Sequence, residues 1–125
     1  MSEIQSINIL QKFSLFEKQW APHIIGELNG QYVKLCKLKD DFVWHSHENE
    51  DELFLVLSGH LRIEMETQSV ALGEGELYVV PKGVRHNPVA ENECLVMLVE
   101  QKSTLHTGNV ISEKTRSLAE QLRPV

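Results

Sequence analysis

From His23 to Gln101 apolar and polar residues alternate in short runs, and glycine, proline and Asn-Gly break the runs at close intervals. "HIIGEL" and "QYVKLCKL" flank Asn29-Gly30. Asn-Gly between two such runs is the strongest short hairpin signal, because both central residues of a type I′ turn need positive φ. "DFVWHSH" follows Asp40, and "ELFLVL" and "LRIEMET" flank Ser58-Gly59-His60. "SVAL" leads into Gly73-Glu74-Gly75, and "ELYVV" ends at Pro81-Lys82-Gly83. "HNPVA" and "CLVMLVEQ" complete the series. Short strands at this spacing, separated by turn residues, predict an all-β barrel or sandwich.

Two segments outside this region carry a helical period. Ile9, Phe13, Phe16 and Trp20 recur at intervals of four, three and four. That spacing predicts an amphipathic helix over about 8–19, capped by Asn8 and stopped by Pro22, which covers the side or end of a sheet. Its polar face lacks the Lys/Arg enrichment of a helix lying on a membrane. After Gln101 the chain turns polar. "SEKTRSLAEQL" places Leu118 and Leu122 four apart, which suits a terminal helix or equally a loose or partner-docked tail. No repeat, low-complexity tract or interior linker divides the chain. The expectation is one domain over 1–125, with a barrel core over about 23–101 and a polar tail over 102–125.

Composition narrows the partners. The 125 residues carry a net charge of −6 with no basic stripe. Phosphate contacts need clustered Lys and Arg, so nucleic acid is disfavoured, and an anionic membrane surface likewise. The opening "MSEIQSINIL" has no basic stretch followed by an apolar core, so no secretory signal is expected. No run reaches the roughly 18 apolar residues of a membrane span. Cys36 and Cys94 each stand alone in an apolar strand-like segment and read as reduced core residues. A cytoplasmic location fits these features.

The chemistry concentrates in "WHSHENEDE", Trp44 to Glu52. In a strand, residues i and i+2 share a face, so His45 and His47 point one way with Val43, and Trp44 and Ser46 the other. Two inward imidazoles at the end of an apolar face need either hydrogen bonds or a metal, for which neutral imidazole is the commonest ligand. Glu48, Glu50 and Asp51 read as a solvated turn, after which Glu52 opens the next strand beside the histidines. His86 follows Pro81-Lys82-Gly83 and opens a strand of its own.

These spacings resemble those of the cupins, small β-barrels of the jelly-roll type. The first cupin motif, G-x5-H-x-H-x3/4-E-x6-G, is met by His45, His47, Glu52 and Gly59. The second, G-x5-P-x-G-x2-H-x3-N, is met by Gly75, Pro81, Gly83 and His86. Lys39 stands where the first motif opens on glycine, and Ala90 where the second closes on asparagine; both positions are structural in the family pattern. The overall pattern resembles the small single-domain bacterial cupins described as mannose-6-phosphate isomerase-like, without the long insertions of true isomerases. The resemblance implies a metal held by His45, His47, Glu52 and His86. Three neutral nitrogens and a carboxylate suit Fe(II), Mn(II), Ni(II), Cu(II) or Zn(II) and do not single one out.

The resemblance also implies a small-molecule substrate or ligand and pairing of two copies through β edges. The expected function is that of a metal-dependent enzyme on a small polar molecule, of dioxygenase or isomerase/lyase type. The alternative is a barrel that binds or senses a small ligand without turnover. Tyr78, Cys36, Tyr32 and Glu50 are the few candidates for a base beside the metal. Lys82 and Arg85 could draw an acidic substrate to the mouth. His23, His60 and His106 match no ligand position and read as surface residues. No phosphate-binding glycine loop, dinucleotide fingerprint or nucleophile elbow is present.

Overall fold

Asn29 and Gly30 adopt φ of 47° and 77°, the paired positive values that a two-residue hairpin turn requires. They join β1 (His23–Leu28) to β2 (Gln31–Asp41). The chain continues through β3 (Glu52–Ser58), β4 (Leu61–Met65), β5 (Ser69–Leu72), β6 (Leu77–Val80) and β7 (His86–Gln101), with short helices α1 (Ile9–Phe13) and α2 (Leu118–Gln121) at the two ends. The structure is a computed structural model and describes residues 5–108 and 110–125. Met1 to Ile4, part of the opening stretch read as lacking a signal, lie outside the described residues.

Seven strands form a wholly antiparallel sheet in the order β1-β2-β7-β3-β6, with β4 pairing both β7 and β5. This is the expected all-β, jelly-roll barrel. "HNPVA" and "CLVMLVEQ" prove to be one strand. The first half of β7 pairs with β4, from Met65↔His86 to Arg62↔Val89. Its second half pairs with β3, from Ser58↔Leu95 to Glu52↔Glu100. β2 runs along the other side of β7, with a register shift between Leu38 and Asp40. Asp40 sits there at φ 63°, beside the lysine that replaces the family's glycine. Such an irregularity adds twist and bends the strand, which lets one pair of long strands serve both halves of the barrel.

Alternation decides what each face buries. Leu38, Phe54, Val56, Leu61, Ile63, Leu72, Val80, Val96 and Leu98 form the interior cluster. Leu35 faces outward from β2 and is covered by Phe13 and Phe16, with Ile9, Ile25, Leu95, Met97 and Val125 around them. Cys36 and Cys94 are free and buried. Among the described residues no helix is long and apolar enough to cross a membrane.

Two expectations need correction, and the expected terminal helix is found in short form. The helix expected over 8–19 occupies only Ile9–Phe13: Asn8 caps it, and the chain turns away at Ser14. Phe16 and Trp20 are buried by different surfaces, Phe16 in the outer cluster and Trp20 in the interior one. Their helical spacing therefore reflects two separate burials. Trp20 stacks on Phe42 at 4.6 Å, and its backbone N–H donates to the Lys37 carbonyl. Beyond Asp41, "DFVWHSH" does not continue as a strand; His45 forms an isolated bridge, through backbone bonds with His86 in both directions. The tail folds back on its own barrel. Its helix is four residues long, exposes Leu118 and Leu122, and buries Gln121 instead.

Candidate metal centre

Each of the four motif side chains comes from a separate local device. The His45–His86 backbone bridge, with N···O distances of 3.0 and 2.8 Å, clamps two of them side by side. The Gly83 N–H donates to the His47 carbonyl at 2.7 Å, tying the turn before His86 to the H-x-H segment. Glu52 is the first residue of β3 and faces inward by alternation with Phe54 and Val56. His45, His47, Glu52 and His86 are all buried, and one donor atom from each lies within 4.8 Å of the others.

The hydrogen-bond pattern presents these atoms to a common point. His45 Nδ1 lies 2.8 Å from the Val43 carbonyl and His86 Nδ1 2.9 Å from the Val84 carbonyl. A carbonyl only accepts, so each Nδ1 carries the proton and each Nε2 keeps its lone pair. Glu52 Oε1 lies 3.4 Å from His47 Nε2 and 3.5 Å from His86 Nε2. Among the described residues His47 Nε2, Glu52 Oε1 and His86 Nε2 are buried without a hydrogen-bond partner. Buried polar atoms ordinarily find a partner, because leaving one unpaired costs about 1–3 kcal/mol. Donors at about 2.1 Å from one ion lie roughly 3–4 Å apart, so these residues fit a first-row divalent cation with little adjustment.

The electrostatics suit a cation as well. Burial, with the neighbouring His86 adding to it, pushes the His45 imidazole down to about 4, so it is neutral and able to ligate near neutrality. For Glu52 burial acts to raise the pKa, but the adjacent Glu100, His47 and His86 together hold the carboxyl well below the usual range.

Sequence reasoning missed a second polar layer. Lys34 and Glu100 are buried and paired, with Nζ 2.6 Å from Oε1. Burial, then the adjacent Glu52 charge, raise the Glu100 carboxyl well above its ordinary range against the pull of Lys34. The signal was available: Lys34 lies between Tyr32 and Cys36 on one strand, so alternation places it on their inward face. Glu100 follows Val96 and Leu98 at the same interval on β7.

The candidate bases separate. Cys36 lines the cavity with His45, Glu52, Glu100 and His106, but burial raises its thiol far above the usual range. Tyr32 is buried elsewhere along β2, with Lys102 over its ring at 5.3 Å. Tyr78 contacts Met65. Glu50 borders a groove with His47, Leu105 and Gly108. Arg85 stacks over Trp44 at 5.1 Å beside Glu64 and Glu66. Lys82 is exposed, and its backbone N–H donates to Asp51. His60 is exposed as expected. His23 and His106 are not: His23 packs on Phe16 at 4.1 Å and His106 on Phe42 at 5.3 Å, so both are half-buried.

A jelly-roll barrel whose inner wall brings together His, His, Glu and His defines the small cupins. A Cupin domain profile matches residues 35–100, and the chain belongs to that family. It is 31% identical over 103 residues to protein YdbB of Bacillus subtilis (strain 168), covering 82% of this chain and 89% of that one. A cupin-2 domain protein from Shewanella frigidimarina is 46% identical, with a TM-score of 0.76 over 77% of this chain and 94% of its own. A Neisseria meningitidis protein is 33% identical, with a TM-score of 0.72 over 78% of this chain and all of its own.

Proposed function

We propose that His45, His47, Glu52 and His86 bind a divalent transition metal, and that the protein is a metal-dependent enzyme acting on a small polar molecule by dioxygenase or isomerase/lyase chemistry. The observation that carries this reading is the trio of buried, partnerless donor atoms on His47, Glu52 and His86. A bound ion would supply Lewis acidity toward a carbonyl or enediolate oxygen, or a site for dioxygen. The chain's own residues do the rest. The carbonyls of Val43 and Val84 orient two imidazoles. Glu100 lies opposite Glu52 on the neighbouring strand. Trp20, Leu38, Phe42, Phe54 and Leu98 give the cavity apolar walls. Turnover is favoured over passive binding because Glu100, a buried carboxyl raised well above its ordinary range, lines the same cavity as the metal donors.

The reading carries two partners, a small molecule at the metal and a second copy of the chain. Edge strand β6 leaves Leu77 and Val79 exposed for such pairing. The acidic balance and free buried cysteines support a cytoplasmic setting. The test is metal analysis of protein purified without chelator, followed by oxygen-uptake and isomerisation assays on a panel of acids and sugars. Near-stoichiometric first-row metal with turnover is expected. Stoichiometric metal with no turnover would favour the ligand-binding alternative.

A further inference from the structure

His106 matches neither cupin motif and lies in no strand, yet its imidazole reaches the cavity that His45 and Glu52 line. Phe42 touches both rings, His45 at 5.5 Å and His106 at 5.3 Å between centroids. The segment carrying His106 is seated by two independent features. Gly108, at φ +58°, lies so close to the H-x-H segment that a Cβ there would overlap the Ser46 carbonyl oxygen and press on the His45 ring. Lys114 reaches back to donate to the Asp41 carbonyl at 2.5 Å and lies over the Trp20 ring at 5.3 Å. The tail is thus part of the wall of the site.

The tautomer of His106 is fixed by a backbone bond. The Arg116 N–H donates to His106 Nδ1 at 2.8 Å. A ring nitrogen that accepts leaves the proton on the other nitrogen, so the imidazole is neutral with Nε2–H. Among the described residues none accepts from Nε2. With its only lone pair engaged, this histidine offers a donor and cannot act as a base.

Charge and space select what it would hold. Lys34 and Glu100 offset each other, so a divalent ion bound beside the Glu52 carboxylate leaves a net charge of about +1, which favours a monoanion. The walls around it are apolar. The space open to a water-sized molecule is about 20 Å³, enough for about one water. The occupant is therefore small, or enters as the tail shifts.

We propose that His106 is a ligand-binding residue of this site, donating through Nε2–H to an oxygen of a small carboxylate held at the metal centre. The proposal rests on the metal reading above and adds its ligand class.

The test uses the full chain loaded with Co(II), with metal content measured directly and formate binding followed by the visible absorption of the ion. His106→Phe keeps an aromatic ring against Phe42 and removes the donor. It should retain stoichiometric cobalt while formate affinity falls about tenfold or more, the usual effect of losing a hydrogen bond to a charged group. His106→Gln retains an N–H donor and should recover much of that affinity. Unchanged formate affinity in His106→Phe at full cobalt occupancy overturns the role of His106 alone. A wild-type protein that takes up no cobalt overturns the metal reading and the proposal with it.

Discussion

Lys34 and Glu100 form an ion pair of 2.6 Å within the barrel, both side chains almost wholly buried. Lys34 also donates to Gln121 Oε1 at 2.5 Å, so one ammonium joins the layer beside Glu52 to the C-terminal tail. Removing one member of a buried pair strands the other charge, at about 3–5 kcal/mol. Lys34→Met should cost toward the lower end of that range, because burial and the Glu52 charge raise the Glu100 pKa and let it take up a proton once Lys34 is gone. The double variant Lys34→Met/Glu100→Leu should recover part of the loss. Urea unfolding of the three proteins measures this directly.

Gln121 gives a second prediction. It is 3% exposed and bonds both Lys34 and the Arg116 carbonyl. Gln121→Ala should loosen the tail more than the barrel. Limited proteolysis should cut within 102–125 several times faster, while the unfolding midpoint of the barrel moves little.

Metal and stability should be linked. A ligand that binds only the folded state stabilises it by about 2.7 kcal/mol at a hundredfold excess over Kd. Added Zn(II) or Ni(II) should therefore raise the thermal midpoint of the wild type and chelator should lower it. His47→Ala should show neither shift, and differential scanning calorimetry reads both.

The pH dependence of the chelated protein follows from buried imidazoles. Burial, then the charge of Lys34, lowers His106 from the ordinary 6.5 to about 3. Between those values the unfolded chain binds more protons than the folded one, so stability rises with pH across that window. The contribution is complete above about 6.5 and is lost as pH falls toward 3. His106→Gln should flatten this part of the acid limb of a stability–pH curve.

The barrel was legible because alternation, Asn29-Gly30 and the spaced turns all point the same way. The four donor residues were legible because their side-chain directions follow from strand parity and from two motifs kept in order. The first helix was overcalled, since Phe13, Phe16 and Trp20 hold a helical interval while packing on opposite sides of the sheet. His106 was misread because its burial depends on where the tail docks, and nothing near it in the chain encodes that docking except Gly108. Leu118 and Leu122 suggested an apolar helix face, but the long-range acceptor that Lys34 needs decided in favour of Gln121.

The sixteen-residue strand β7 has a kinetic consequence. It supplies His86 at one end and Glu100 at the other, and it hydrogen-bonds to β2, β3 and β4, all of them earlier in the chain. A nascent polypeptide that has emerged only as far as Val80 holds His45, His47 and Glu52 but not the central strand that zips the two halves together. Such non-local pairing comes late and slowly in folding, so cation capture should wait until β7 closes the barrel.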